Sequence, residues 1–218
     1  MLSTIKLDRT ILLDQVYDVL KERILDRAVE PGHKLNIDAL ARELSVSSTP
    51  IREALGRLSA EGLVHFAPFV GFSAAPIPSR SFYDGLFAFR LLVEPWAAGE
   101  AARNRDGSAM EALDMAVAAM RDGSLSKTYR SFRSFSEADQ AFHEAILAGT
   151  GNEAAQRAYT ALSIHLHISR LYIDRDQDTE TSLAEHQIIL DSVRRGDSHG
   201  ACEAMAHHIR SSQSKLFE

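Results

Sequence analysis

The sequence lacks the paired cysteines that form disulfides in secreted proteins and the long apolar runs that span membranes. Its 218 residues include one cysteine, Cys202, so no disulfide can form within the chain. Such cysteine usage is typical of the reducing cytoplasm. No uninterrupted apolar run approaches the roughly 20 residues of a membrane span, and the first residues lack the charged-then-apolar pattern of a signal peptide. These absences exclude a disulfide scaffold and favour a cytoplasmic protein with no membrane partner.

Proline is also unevenly distributed. Of the six prolines only Pro95 lies beyond residue 80, whereas "APIPSR" carries Pro76 and Pro78 within a short span and is typical of a joint. Beyond this joint the apolar residues recur with helical spacing and show no strand-like alternation. The predicted helices lie near 81–103, 108–121, 127–148, 153–172, 182–195 and 198–215. We therefore predict a linker at 76–80, followed by an all-helical antiparallel bundle over 81–218 that binds an effector and dimerises.

The segment before the joint has a different pattern. Residues 11–27 have helical spacing, a short helix follows near 37–44, and a third helix begins after Ser47, a good N-cap residue. The run "LVHFAPFVGFSAA" then gives two short strand-like segments around a turn. Three helices and a hairpin predict a winged helix-turn-helix domain over 1–75. The expected fold class is mainly α.

The charge of the chain belongs to its second part. The formal net charge is -6, yet residues 1–80 hold ten basic and ten acidic residues, whereas residues 81–218 hold fourteen and twenty. The first segment is therefore neutral overall, and a local basic face for nucleic acid is compatible with an acidic chain.

The third predicted helix, within "VSSTPIREALGRLSAEGLV", has two different faces. The apolar face carries Ile51, Ala54, Leu55 and Leu58. The opposite face carries Thr49, Arg52, Gly56 and Arg57. Arginine suits the guanine edge and phosphate, and threonine suits phosphate at a helix start. The pattern alone leaves open an amphipathic helix that only faces water.

This segment, preceded by "PGHKLNIDALARELS" and followed by "GF", resembles the DNA-binding domain of the GntR family of bacterial transcription regulators. The resemblance covers about residues 11–75 and implies a recognition helix in the major groove. The implied DNA contacts are Arg42, Ser48, Thr49, Arg52 and, at the wing tip, Gly71. The family usually has arginine at position 48, and the wing "APFVGF" lacks a basic residue, so we expect operator affinity to depend more heavily on dimerisation. A palindromic operator calls for a homodimer.

A second constellation lies in the predicted bundle. Asp139 and His143 are four residues apart in "FRSFSEADQAFHEAIL" and share one side of a helix. His186 and His208 lie among apolar positions of the last two helices. A buried carboxylate costs several kcal/mol unless it is compensated, and a divalent cation could compensate it. The spacing alone leaves open a hydrogen-bonded core without metal.

"DQAFH" with the downstream histidines, "FAFRLLVEPWAA" and "GTGN" resemble the metal-binding FCD effector domain of the FadR subfamily, over about 81–218. The resemblance implies a divalent transition metal, zinc or nickel above others. The implied ligands are Asp139, His143, His186 and His208. Another histidine of the bundle, His165, could face the same cavity, but it is expected to be ordinary core.

Arg90 shares a helix face with Leu86 and Phe87 and is expected to be partly buried. Two roles are open for its guanidinium: an ion pair with Glu94 at i+4, or a clamp on the carboxylate of an effector. The resemblance implies the second role. We therefore predict that a small organic or sugar acid binds between the metal and Arg90.

Three functions fit these features: a ligand-responsive DNA-binding regulator, a sensor of the metal itself, and a metal-dependent hydrolase. The hydrolase is disfavoured because four protein ligands fill a tetrahedral ion. Glu144 points away from the ligand beside it, so it is a poor general base, and a catalyst has no need of "TPIREAL". We predict a homodimeric transcription regulator that is not an enzyme.

Overall fold

A computed structural model of the chain describes residues 9–122, 129–171 and 179–217. Spatial proximity divides the chain into two compact units, Met1–Ile77 and Pro78–Glu218. The N-terminal elements are α1 (Arg9–Leu25), β1 (Lys34–Leu35), α2 (Ile37–Glu43), α3 (Ser48–Ala60), β2 (Val64–Ala67) and β3 (Gly71–Ala74). The C-terminal elements are α4 (Arg80–Asn104), α5 (Gly107–Asp122), α6 (Tyr129–Ala148), α7 (Glu153–Ala161), α8 (Ile164–Ser169), α9 (Thr179–Arg195) and α10 (Ser198–Phe217). The predicted fold class, mainly α with a winged helix-turn-helix, is confirmed.

The core of the N-terminal unit forms where α3 packs against α1 and α2. The predicted apolar face of α3 is fully buried, at Ile51, Ala54, Leu55 and Leu58. Ser47 is the N-cap with an extended backbone, although its hydroxyl makes no capping bond. Pro50 lies in the first turn, where a missing N–H costs little. The buried face fixes which residues of α3 point away from the core.

The sheet of this unit has three antiparallel strands in the order β1-β3-β2. The predicted hairpin is present, with Val64 opposite Ala74 and Phe66 opposite Phe72. The sequence did not predict β1, because two residues are too few to show a period. At the hairpin tip Gly71 has φ 100, a conformation that glycine adopts without strain. The helices and this hairpin form the winged helix-turn-helix.

In the C-terminal unit α4 packs against α6, α9 and α10, while α5 packs against α6 and α9. One prediction was wrong here: the single helix expected near 153–172 is interrupted. α7 ends at Ala161, and Ser163 takes the left-handed conformation with φ 46 before α8 begins. A left-handed residue ends a right-handed helix, so α8 takes its own direction. Residues 127–128 and 172, at the ends of two predicted helices, lie outside the described residues.

None of the helices in the described part of the chain has both the length and the apolar character of a membrane span.

Candidate metal centre and nucleic-acid interface

Three helices bring the four predicted metal ligands together. α6 supplies Asp139 and His143, α9 supplies His186, and α10 supplies His208. One ligand atom from each lies within 4.8 Å of the others. The histidines are buried, whereas 22% of the Asp139 side chain is exposed. These residues share one point in the bundle although they are up to 69 positions apart in the sequence.

An oxygen atom lies beside Nδ1 of each histidine ring. The pairs are His186 with the Ser182 carbonyl at 2.7 Å, His208 with Glu185 Oε2 at 2.8 Å, and His143 with Glu94 Oε2 at 2.7 Å. The third pair is close but is not aligned as a hydrogen bond. Carbonyl and carboxylate oxygens only accept, so the hydrogen of each neutral ring belongs on Nδ1 and the lone pair on Nε2. Such outer partners orient histidines around a metal.

The contact between His186 and Asp139 tests whether a metal fits. His186 Nε2 lies 3.1 Å from Asp139 Oδ1 and has no hydrogen-bond partner among the described residues. With the ring hydrogen on Nδ1, a lone pair faces a carboxylate oxygen, and the two repel unless a cation lies between them. Ligand atoms about 2.1 Å from an ion are about 3.0 Å apart at adjacent octahedral positions and about 4.2 Å apart at opposite ones. The 3.1 Å contact matches adjacent positions and the 4.0 Å from Oδ1 to His143 Nε2 is close to the larger spacing, while the widest separations in the group, up to 4.8 Å, have to shorten when an ion binds.

The surroundings hold Asp139 and two of the three histidines in the protonation state that a metal requires. Burial lowers the pKa of His143 to about 3 and that of His208 to about 4. Burial would raise the pKa of Asp139, but the hydrogen bond from His165 and the close approach of the His186 ring hold it well below its usual range. At neutral pH the carboxylate is therefore ionised and these two imidazoles are neutral, as metal binding needs.

The same pKa shifts predict a pH dependence for the metal-free protein. The pKa values of His143 and His208 lie below the ordinary 6.5, so the unfolded chain binds more protons in the window between about 6.5 and these values. Stability should therefore fall as the pH is lowered from about 6.5 towards about 4. Thermal melts of chelator-treated protein across this window test the prediction. A melting temperature that stays constant from about pH 7 to about pH 5 would contradict it.

Glu94 connects the cluster to Arg90, and both side chains are buried. Arg90 donates from Nε to Oε1 at 2.6 Å and from Nη2 to Oε2 at 3.2 Å. The Tyr159 hydroxyl donates to Oε1 at 2.8 Å. Burial would raise the pKa of Glu94, but the charge of Arg90 holds it well below its usual range. Arg90 and Glu94 therefore form a buried ion pair with two hydrogen bonds. This pair is one of the two roles open for Arg90.

Sequence reasoning assigned no role in this network to three of its members, which are His165, Tyr159 and Glu185. His165 is buried, as expected, but it donates from Nδ1 to Asp139 Oδ2 at 2.8 Å and its Nε2 lies 3.2 Å from the Tyr159 hydroxyl. Glu185, on α9, accepts a hydrogen bond from His208 Nδ1, on α10. The break after α7 concealed the direction of His165, and Glu185 directly precedes His186, where helical geometry predicts a different direction. Only packing reveals these partners.

The predicted DNA contacts lie at the end of α2, the start of α3 and the start of β3. Arg42, Thr49 and Arg52 are exposed, and Ser48 and Gly71 are half-buried. Among the described residues, the side chains of Arg42 and Arg52 have no hydrogen-bond or ion-pair partner.

Arg57, farther along the polar face of α3, differs from Arg52. Its guanidinium pairs with Asp14 at 3.3 Å and Glu61 at 3.5 Å, and it lies 3.8 Å from the ring centre of Tyr17. Arg57 thus makes contacts within its own domain. The exposed Arg52 side chain makes no such contacts with the described residues and is free to contact a nucleic acid.

Comparison with known proteins finds a family match in each of the two units. Residues 12–73 match the bacterial regulatory proteins of the gntR family, and residues 85–211 match the FCD domain. The second match alone covers more than half of the chain. The chain therefore belongs to the GntR family of bacterial regulatory proteins and carries an FCD domain, as the sequence resemblance indicated.

Its relatives are transcription regulators. The probable repressor of the D-xylose utilization operon of Paenarthrobacter nicotinovorans is 26% identical over 94% of this chain and 88% of its own. The galactonate operon repressor of Escherichia coli is 25% identical over 94% of this chain and 96% of its own. The solved structure of E. coli McbR/YncC has a TM-score of 0.71 at 18% identity, over 94% of this chain and 97% of its own, which shows the shared fold.

The prediction that the protein is not an enzyme is confirmed by these families and relatives. The protein is a transcription regulator of the GntR family with an effector-binding FCD domain.

Proposed function

We propose that the protein is a cytoplasmic homodimer that represses transcription from a palindromic operator, and that it responds to a small carboxylic acid bound beside a divalent metal. Two of its relatives are named as repressors. The proposed metal ligands are Asp139, His143, His186 and His208. The observation that carries the proposal is the 3.1 Å contact of His186 Nε2 with Asp139 Oδ1, which lacks a hydrogen bond.

The donor set favours particular ions. Three imidazole nitrogens and one carboxylate oxygen suit zinc or nickel better than magnesium or calcium, which prefer oxygen. When bound, the ion supplies a Lewis-acidic centre that attracts a carboxylate oxygen. Asp139 is the only partly exposed member of the four, so small molecules reach the cluster most directly from its side.

Arg90 provides the second contact for an acid. Its Nη2 lies 3.4 Å from His143 Nε2, so the guanidinium borders the metal ligands. Glu94 takes Nε and Nη2, and among the described residues Nη1 has no hydrogen-bond partner. A carboxylate can pair with these remaining N–H groups. The galactonate operon of one relative is named for a sugar acid, which agrees with a ligand of this class.

A lysine at position 90 tests this role. Arg90→Lys keeps a positive charge beside Glu94 but loses the planar fork. The metal-loaded wild-type protein should melt at a higher temperature in D-galactonate than in D-galactose, which lacks the carboxylate. In the variant this difference should largely disappear, while metal content stays at one ion per chain.

The matched control is Arg103→Lys, because Arg103 is an exposed arginine of the same helix. It should respond to galactonate like the wild type. A full response in Arg90→Lys would mean that Arg90 is only the partner of Glu94, and loss of metal would mean that it supports the metal site itself.

A second candidate function is a sensor in which the ion is the signal. The four ligands favour it, because they are enough to fill a tetrahedral ion without an added acid. In that case operator affinity changes on metal addition alone. Gel-shift titrations with and without metal, in the absence of any carboxylate, distinguish the two functions.

The DNA contact of Arg52 gives another prediction. Arg52→Ala should weaken operator binding by about 1–3 kcal/mol if the guanidinium reads a base edge. The measurement is a gel shift at matched salt on an operator selected from random DNA. Arg103→Ala removes the same charge from the C-terminal unit and should leave affinity unchanged. If Arg52→Ala and the wild type bind the operator with equal affinity, Arg52 does not contact the DNA.

A further inference from the structure

The two carboxylate oxygens of Asp139 face different groups. Oδ1 faces the cluster, at 3.1 Å from His186 Nε2 and 4.0 Å from His143 Nε2. Oδ2 accepts a hydrogen bond from His165 Nδ1 at 2.8 Å. The carboxylate is therefore held with one oxygen turned towards the ligand atoms and the other tied to a separate imidazole.

His165 is not placed as a ligand. Its Nδ1 is used by Asp139, and its Nε2 lies 3.2 Å from the hydroxyl of Tyr159. That hydroxyl is fixed in turn by its 2.8 Å bond to Glu94, and His165 is 95% buried. The ring of His165 is thus tied at Nδ1, bordered by the Tyr159 hydroxyl at Nε2 and enclosed by the core, so it has little freedom to turn towards an ion.

We propose that His165 is a positioning residue that restricts Asp139 to one metal-binding oxygen and so keeps a coordination position open for the effector. The inference rests on the proposed metal site. A carboxylate can bind a metal through one oxygen or both. With Oδ2 held by His165, Asp139 and the three histidines occupy four positions, and an octahedral ion has two more. Without the His165 hydrogen bond, Oδ2 of Asp139 is able to coordinate the ion as well and to occupy one of these two open positions.

Two substitutions separate the hydrogen bond from the space that the ring fills. His165→Leu fills similar volume but donates nothing. His165→Asn has a side-chain NH₂ at the position of Nδ1 and can still donate to Oδ2. Each variant and the wild type are loaded with Co²⁺, whose visible absorption reports its coordination, and are titrated with acetate as the simplest carboxylate.

The wild type and His165→Asn should each bind one Co²⁺ and change spectrum on acetate addition. His165→Leu should keep its Co²⁺, show an altered spectrum without acetate, and bind acetate about tenfold more weakly or worse. Melting curves of the metal-free forms verify that each variant is folded.

Three results would overturn the inference: an acetate response in His165→Leu equal to the wild type, a His165→Asn variant that behaves like His165→Leu, or loss of Co²⁺ from both variants, which would make His165 a ligand. These results leave the metal site intact in the wild type. If instead the wild type binds no Co²⁺, the proposed metal function fails and the inference fails with it.

Discussion

Replacing Arg90 with alanine should lower the free energy of unfolding by about 3–5 kcal/mol, because it leaves a buried carboxylate without its counter-ion. Glu94 is fully buried and ionised, and Arg90 supplies two of its hydrogen bonds. The Tyr159 hydroxyl alone cannot balance the charge. Glu94 also contacts His143, so the damage should extend to the metal site. Chemical denaturation of the metal-free protein measures the loss.

The matched control lies on the same helix. Arg80 and Asp84 form an ion pair with the same i,i+4 spacing, with 2.9 Å between Arg80 Nε and Asp84 Oδ1, but their side chains are 59% and 46% exposed. Arg80→Ala should cost less than about 1 kcal/mol, because water and entropy offset exposed pairs. If Arg90→Ala costs no more than Arg80→Ala, the buried pair does not stabilise the bundle in the way described.

His186→Ala should abolish tight metal binding and the stabilisation that comes with it. A ligand that binds only the folded protein, present at 1,000 times its Kd, stabilises it by about 4 kcal/mol. Metal addition should therefore raise the melting temperature of the wild type and leave that of His186→Ala nearly unchanged. Metal analysis of both proteins after gel filtration checks the content directly.

His207→Ala is the control for this experiment. His207 is the neighbour of His208 on α10, but 76% of its side chain is exposed and it is not one of the four grouped ligands. Its removal should change neither metal content nor melting temperature. If His186→Ala still holds one ion per chain, His186 is an ordinary core residue and the ligand set is wrong.

The sequence predicted the elements of the fold where the apolar period is long and regular. Helix α3 shows this: the four residues of the predicted face are buried, together with Pro50 in the first turn, and Arg52 on the opposite face is exposed. Spacing placed Asp139 and His143 on one side of α6. Recognisable motifs then placed the partners of this pair on two distant helices, where spacing alone left a metal-free core open.

The residues that contact the four proposed ligands, such as Glu94 and His165, could not be predicted in the same way. The role of Glu94 depends on packing, because the same i,i+4 spacing gives an exposed pair at Arg80 and a buried one at Arg90. His165 reaches Asp139 because the chain turns at Ser163, a residue without an evident breaking signal. Tertiary contacts of this kind leave no periodic trace in the sequence.

X-ray absorption at the edge of the bound metal tests the proposed centre most directly. After loading with zinc or nickel, the wild-type protein should hold one ion per chain, with nitrogen and oxygen neighbours at about 2.0–2.2 Å. The outer scattering should fit three imidazole rings, and in His186→Ala it should lose one ring or disappear with the metal. A sulfur neighbour at about 2.3 Å, which would implicate Cys202, or a wild-type protein that retains no metal, would contradict the account.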